Sequence, residues 1–179
     1  MKKRVKPEKR GKAILYVFVR YLILVVSGIF FPFYKILLPL TIWPVYFLLS
    51  IFYNTSVIGS IILVSVAKIE IVGACVAGSA YYLLLILNLT TSMKSKQRIY
   101  SLLFSFFSLL ILNILRIFSL SILYIEDFVF FDFTHKLFWY FLSIGFVVGI
   151  WFLTVWLFKI KNVPVYSDIK MLIRFINLN

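Results

Sequence analysis

The amino-acid sequence predicts an all-α fold, a polytopic transmembrane helix bundle with four to six spanning helices. Two observations lead to this prediction. The chain is 63% hydrophobic and only 14% charged, with a mean hydropathy of +1.05, whereas soluble domains are roughly half apolar and about a quarter charged. Its apolar residues also fall into several long runs, and a spanning helix needs about 20 of them. Lipid is therefore the solvent that fits the surface of this single domain.

The first apolar run, Tyr21–Tyr53, contains 33 residues and is interrupted by three prolines. It is long for one helix and short for two. The segment Asn54–Glu70 follows it and contains a β-like run. Two arrangements stay open. One crossing with an interfacial piece gives four helices in total, whereas two crossings with a short third one through Val57–Ala67 give six.

Three further apolar runs predict the remaining helices, Ile71–Thr90, Ile99–Tyr124 and Leu137–Phe158. The loop between the first two is basic, and cytoplasmic loops carry an excess of Lys and Arg. We therefore expect residues 94–98 inside the cell and the acidic loop at residues 126–132 outside. This alternation predicts a multi-pass protein of the cell membrane.

The net charge of +13 comes mostly from clusters of Lys and Arg that flank the apolar runs. These clusters divide the chain into a basic cytoplasmic N-terminal arm at residues 1–20, a transmembrane domain at 21–158 and a cytoplasmic tail at 159–179. Because no basic aromatic surface or nucleic-acid motif accompanies the charge, the expected partner is the lipid bilayer and not nucleic acid. The one cysteine, Cys75, excludes an internal disulfide.

Three residues stand out because polar groups in a bilayer are costly and suggest function: Cys75, Arg116 and His135. At a rise of 1.5 Å per residue, each lies about 26–36 Å from the cytoplasmic end of its predicted helix, and the hydrocarbon core is about 30 Å thick. All three are therefore expected near the outer membrane boundary. Asn113 precedes Arg116 by three residues and shares its helix face. It either orients Arg116 or bonds a neighbouring helix.

A cysteine with a histidine is the minimal set for a thiolate nucleophile and its base, and a nearby cation can stabilise a thiolate or an oxyanion. Each residue also has a structural interpretation. Cys75 alone fits a small hydrophobe, and Arg116 alone fits a side chain that snorkels to the interface. His135 alone fits an ordinary interfacial residue. Their shared depth favours the chemical interpretation.

The order of these residues resembles the exosortase/archaeosortase family, and most of all its short archaeal members. That family has a Cys in an A-C-x-G-like motif, an Arg in an N-x-x-R-like motif and a later His. Here residues 74–78 read A-C-V-A-G, residues 113–116 read N-I-L-R, and His135 follows the acidic loop. Ala77 stands where the family's motif has Gly. The resemblance covers residues 69–158, about half of the chain.

The resemblance implies a membrane-embedded cysteine peptidase or transpeptidase, whose active site faces the extracytoplasmic side. Its substrates would be exported surface proteins with a C-terminal sorting signal: a short motif, a transmembrane helix and a basic cluster. Cys75 would form a thioester, and the acyl group would then pass to water or to a lipid amine. His135 would act as the base and Arg116 as a proton donor or oxyanion stabiliser, with Asn113 in support; which of His135 and Arg116 activates Cys75 stays open.

The resemblance implies no cofactor and no metal. Two alternatives from other classes remain, a non-enzymatic membrane assembly subunit and a small transporter component. A transporter would need charged groups along a path near the middle of the membrane, whereas the ionisable residues of this chain are expected mostly at one face.

Overall fold

A computed structural model describes residues 33–64 and 67–160, together with eight helical positions between residues 15 and 26. Most of the predicted N-terminal arm and of the predicted tail lies outside the described residues. The regular elements are, in chain order, α1 (Phe33–Ser50), β1 (Thr55–Ile58), β2 (Ile61–Val64), β3 (Ala67–Glu70), a 3₁₀ turn (Gly73–Val76), α2 (Gly78–Thr90), α3 (Ser95–Ile125), α4 (Phe131–Leu137), a π-helical turn (Phe138–Leu142) and α5 (Ser143–Leu157).

The described part of the chain is largely helical, as the sequence predicts. Three of its helical segments, Gly73–Thr90, Ser95–Ile125 and Phe131–Leu157, are long and apolar enough to cross a membrane, since about 20 residues span the hydrocarbon core. The shorter apolar helix α1 precedes them. How many further spans the run Tyr21–Tyr53 contributes stays a prediction, because part of that run lies outside the described residues.

The outer surface of the helix bundle is apolar, as is much of its buried core. Large apolar side chains such as Phe47, Phe107 and Phe141 are exposed. Polar residues instead occupy a buried stripe along one face of α3, formed by Arg98, Ser101, Ser105, Asn113 and Arg116. A helix that turns apolar side chains outward and polar ones inward suits lipid as its solvent, so the chain is a membrane protein.

Hydrogen bonds between helices satisfy much of this buried stripe. The amide Nδ2 of Asn88 on α2 donates to Ser101 Oγ on α3 at 2.6 Å. The hydroxyls of Ser105 on α3 and Thr154 on α5 lie 2.9 Å apart. Such bonds between helices contribute about 0.6–1.7 kcal/mol each in a bilayer. They fix the relative positions of α2, α3 and α5, which carry the site described below.

Residues 55–70 form a three-stranded antiparallel meander in the order β1-β2-β3, with residues 65 and 66 outside the described set. The six-helix arrangement, in which Val57–Ala67 crosses the membrane as a short helix, is therefore wrong. The local pattern explains the outcome, because β-branched residues are frequent here and favour strands. Gly59, with a φ of +63°, permits the tight turn between β1 and β2.

The two ends of the helix bundle can be told apart by their contacts. Residues 91–94 join α2 to α3 at one end, which we call the loop end. The 3₁₀ turn and the C-terminal end of α3 lie at the opposite end, which we call the cysteine end. α5 runs from the cysteine end to the loop end, since Ser143 bonds Arg116 and the carbonyl of Phe158 accepts a hydrogen bond from Gln97.

Candidate active site

A cavity of about 220 Å³ lies at the cysteine end of the bundle. Cys75, Arg116 and His135, the three catalytic residues predicted from the sequence, all line it. Residues 68–71 form one wall, the C-terminal part of α3 forms a second, and the helix that follows the acidic loop forms a third. The structure thus brings the three predicted residues together from three separate segments of the chain.

Cys75 lies in the 3₁₀ turn and is partly buried, whereas the sequence predicts that it opens a helix. The reason is the backbone at Ala77, where φ is 57° and ψ is 32°. This left-handed conformation interrupts a right-handed helix, so α2 begins one residue later, at Gly78. The Cys75 thiol is therefore carried by a tight turn, and the left-handed residue Ala77 ends that turn.

The backbone carbonyl of Cys75 is held by two side chains of α3. Asn113 Nδ2 donates to this oxygen at 2.9 Å, and Arg116 Nη2 donates to it at 3.4 Å. Both donors are buried and lie on one face of α3, because residues three apart are neighbours on a helix. The sequence predicts two roles for Asn113, and the structure shows the one in which it bonds a neighbouring segment. That segment is the 3₁₀ turn that carries Cys75.

Arg116 is also tied to the opposite wall of the cavity. Its Nη1 donates to Ser143 Oγ at 2.8 Å, and that hydroxyl donates to the Phe138 carbonyl at 2.9 Å. Arg116 is only 8% exposed, so its side chain is buried and does not snorkel to the interface as the structural interpretation of Arg116 expected. The planar fork of an arginine suits this position, since it reaches two acceptors at once.

His135 is an exposed residue of α4 on the third wall. Its imidazole stacks on the ring of Phe131, with centroids 5.7 Å apart and an angle of 6° between planes. Trp139 contacts the imidazole edge-on at 6.1 Å. These aromatic contacts hold the ring beside the cavity, and Trp139 lines the cavity as well.

The π-helical turn Phe138–Leu142 sets the direction of the third wall. A π turn contains one extra residue relative to an α-helix, which rotates the following residues by about 100°. His135 and Ser143 are eight residues apart, so on a regular α-helix their side chains would point in directions about 80° apart. Because the π turn accommodates one extra residue, the two side chains instead lie on nearly the same face of the helix. The sequence did not single out Ser143, because a π turn has no strong sequence signal.

The lining combines a thiol, an imidazole and a guanidinium with mostly apolar walls. Arg116 Nη2 reaches the backbone carbonyl of Cys75 at 3.4 Å, so the guanidinium lies beside the cysteine turn. Among the described residues, no three side chains of His, Cys, Asp or Glu cluster in a way that could hold a metal ion. The arrangement suits nucleophilic chemistry at Cys75, with an acid–base group and a fixed cation on the facing walls.

Comparisons with models of protein families, with curated proteins and with solved structures find no match to this chain. A function is therefore inferred from the geometry of the site and from the resemblance of its motifs.

Proposed function

We propose that this chain is a membrane-embedded cysteine peptidase or transpeptidase of the exosortase/archaeosortase type. Its substrates are exported surface proteins that end in a short motif, a transmembrane helix and a basic cluster. One observation carries the proposal: Cys75, Arg116 and His135 line the same cavity. Three polar residues that are costly to place in a bilayer come together, and their order and local motifs resemble this family.

In the proposed reaction, the Cys75 thiol loses its proton to the imidazole of His135, and the sulfur attacks the carbonyl carbon of the scissile peptide bond. The carbon–nitrogen bond then breaks, and the leaving amine takes the proton from the imidazolium. The acyl group stays on Cys75 as a thioester. Water or a lipid amine next gives a proton to the imidazole and attacks this carbonyl, and the sulfur leaves and regains its proton.

Arg116 has two roles in this proposal. Its positive charge stabilises the negative charge that develops on the sulfur and on the carbonyl oxygen during attack. Its bonds to the Cys75 carbonyl and to Ser143 also keep the nucleophile turn at a fixed distance from the third wall. Asn113 acts as a positioning residue through the same carbonyl.

The protein is proposed to be a multi-pass protein of the cell membrane, with the cysteine end on the extracytoplasmic side. Exposed Lys94 and Lys96 at the loop end support this orientation, since cytoplasmic loops are rich in Lys and Arg. Exposed Glu126 and Asp127 lie at the opposite end. Because Cys75 is the one cysteine of the chain, a membrane-impermeant maleimide applied to intact cells is expected to label it. Labelling that requires access from the cytoplasm would reverse the proposed orientation.

The buried polar stripe of α3 does not favour a transporter. Asn88 and Thr154 satisfy Ser101 and Ser105 through direct hydrogen bonds between helices. These groups are therefore used in packing and do not line a water-filled path through the described residues. An assembly subunit is separated from an enzyme by experiment, since a scaffold should tolerate the loss of one thiol.

The test compares cells that carry the wild-type chain with cells that carry Cys75→Ala, and it works for any target motif. The C-termini of surface proteins are identified by mass spectrometry in both. We expect a set of proteins to lose its C-terminal helix and basic cluster in the wild type and to keep them in the variant. Tyr100→Phe, an exposed change near the loop end, is the control and is expected to process normally. Identical C-termini with wild type and Cys75→Ala would contradict the peptidase.

A second measurement looks for the thioester itself. Hydroxylamine cleaves a thioester and leaves a hydroxamate at the new C-terminus of the released protein. Added to membranes during processing, it is expected to yield this product with the wild-type chain and not with Cys75→Ala. Cleavage that never gives a hydroxamate would remove Cys75 as the covalent nucleophile.

A further inference from the structure

β3 is an edge strand that borders the cavity. The sheet has the order β1-β2-β3, so β3 pairs with β2 on one side and with no other strand in the described part of the chain. Residues 68–71 line the same cavity as Cys75. Part of α3 lies across from β3 on the facing wall. The free edge of a strand and the proposed nucleophile therefore share one space.

The hydrogen-bond register identifies the backbone groups on that edge. The N–H of Ile71 donates to the carbonyl of Ser60 at 2.9 Å. Residues in an antiparallel pair alternate between bonded and non-bonded positions, so Ile69, two residues earlier, also bonds toward β2. The N–H and C=O groups of Lys68 and Glu70 consequently point away from β2, and no described residue is hydrogen-bonded to them.

Unpaired backbone groups are not tolerated in hydrocarbon, because each one costs several kcal/mol there. The edge of β3 therefore needs water or a polar partner. An extended polypeptide satisfies such an edge fully, by adding a strand about 4.8 Å away. A peptidase substrate is a partner of this kind, since its own backbone carries the complementary donors and acceptors.

We propose that the substrate segment next to the scissile bond binds to β3 as an added strand, through the backbone groups of Lys68 and Glu70. This inference rests on the proposed function and names how the substrate is positioned. Cys75 follows Glu70 by five residues, in the turn into which β3 leads. A peptide paired with β3 is thus carried along the cavity wall toward the thiol, and the main-chain bonds fix its register.

Proline substitutions test the edge without breaking the sheet. Lys68→Pro and Glu70→Pro each remove one N–H that faces the cavity, and they leave the bonds to β2 in place, as proline does on natural edge strands. Lys68→Ala and Glu70→Ala change the same side chains and keep the N–H. We expect each proline variant to process a tail-bearing surface protein at least about tenfold more slowly than its alanine control. Protein abundance and maleimide labelling of Cys75 should match those of the control.

A photo-crosslinking arm keeps the test valid if a proline variant does not accumulate. A photoreactive amino acid is placed at exposed Lys68 and, as the control, at exposed Ser56 of β1. The two positions are matched, because both lie opposite Leu63 in the register. In a Cys75→Ala background, we expect an adduct with the substrate from position 68 and not from position 56. Equal adducts from both positions, or an adduct from position 56 alone, would overturn the proposal.

The experiments distinguish failure of the proposed peptidase function from failure of strand addition alone. Normal processing by Cys75→Ala would overturn the proposed function, and strand addition with it. Loss of processing in Cys75→Ala together with normal processing in both proline variants would overturn strand addition and leave the peptidase in place.

Discussion

Two arginines of α3 are buried to the same extent, yet only one of them lies at the candidate active site. Arg98 and Arg116 are each 8% exposed. They are 18 residues apart, which is about five helical turns, so both lie on the same face. Arg98 donates to the carbonyls of Leu89 and Thr91 at 3.1 and 2.9 Å, whereas Arg116 donates to the carbonyl of Cys75 at 3.4 Å. The two guanidiniums thus hold the two ends of the segment that contains α2.

Their surroundings differ. Arg98 bonds the carbonyl of Leu89 in the last turn of α2 and that of Thr91 directly after it; carbonyls at a helix C-terminus have no partners within the helix and carry the negative end of its dipole. A cation at this position stabilises the helix end, and the cavity at the cysteine end does not include it. Arg116 bonds a turn that carries a thiol, and Ser143 and His135 lie on the facing wall.

The comparison shows that a buried cation in a membrane protein is not by itself evidence of catalysis. The polar rule that singles out Arg116 applies equally to Arg98. Arg116 differs from Arg98 because a cavity and the reactive side chains of Cys75 and His135 lie beside it. The sequence places Arg98 among the basic loop charges, but the structure makes it a cap of α2, and exposed Lys94 and Lys96 remain as the loop charges.

The largest difference between the two arginines is expected when each is replaced by lysine. Arg116→Lys keeps the charge but loses the planar fork, so one ammonium cannot replace both bonds, to the Cys75 carbonyl and to Ser143. Because one oxyanion donor is worth about 10²–10³ in rate, we expect processing of a tail-bearing substrate to fall by about that factor. An immunoblot of precursor against product, corrected for enzyme level, measures it. Near-normal processing would return Arg116 to a purely structural role.

The bond between Arg116 and Ser143 is expected to have a smaller effect. Ser143→Ala removes one acceptor of the guanidinium, and a hydrogen bond to a charged group contributes about 1.5–3 kcal/mol. We therefore expect processing to fall about tenfold or somewhat more. Ser105→Ala is the matched control, since it removes a hydroxyl bond between α3 and α5 away from the cavity. If the two variants lose activity equally, the effect is one of packing and not of Arg116 position.

Arg98→Lys tests the other member of the pair. Lysine keeps the charge near the end of α2 and one bond to its carbonyls, so part of the capping effect remains. We expect the free energy of unfolding to fall by about 1–2 kcal/mol, measured by denaturant titration in detergent. Processing per folded molecule should stay close to the wild type. A large activity loss at unchanged stability would mean that Arg98 also serves the reaction.

Much of the fold could be predicted, because hydropathy and charge are local properties of the sequence. The runs Ile99–Tyr124 and Leu137–Phe158 correspond to helical segments Ser95–Ile125 and Phe131–Leu157, although the latter begins six residues earlier than expected. Helix rise alone also predicts that Cys75, Arg116 and His135 lie at one end of the helices, and all three line the cavity at the cysteine end.

Other parts of the site could not be predicted, because they depend on tertiary packing. The role of Ser143 requires a π turn, and a one-residue change of helical phase leaves no periodic signal in a uniformly apolar run. The edge position of β3 depends on which strands pair. Cys75 lies in a turn because the backbone at Ala77 is left-handed. A glycine at this position would have indicated such a conformation, whereas an alanine does not.

The smallest predicted effect is that of replacing Ala77. A left-handed conformation costs a residue with a side chain about 1–2 kcal/mol, and glycine avoids that cost. Glycine also gives the unfolded chain more freedom, which offsets the gain by about 0.4–1 kcal/mol. We therefore expect Ala77→Gly to raise the free energy of unfolding by about 0.8 kcal/mol. Ala80→Gly, a residue inside α2, should instead lower it by about 0.5–1 kcal/mol.

The opposite signs of the two glycine variants test the backbone of the cysteine turn directly. The motif that residues 74–78 resemble has a glycine where this chain has Ala77, and a left-handed position is where glycine is the most favourable residue. Paired denaturant titrations in detergent, with Cys75 labelling rates as a check on the turn, distinguish the cases. If Ala77→Gly destabilises the protein as much as Ala80→Gly does, then residue 77 is not left-handed, and the physical reason for a glycine two residues after Cys75 is lost.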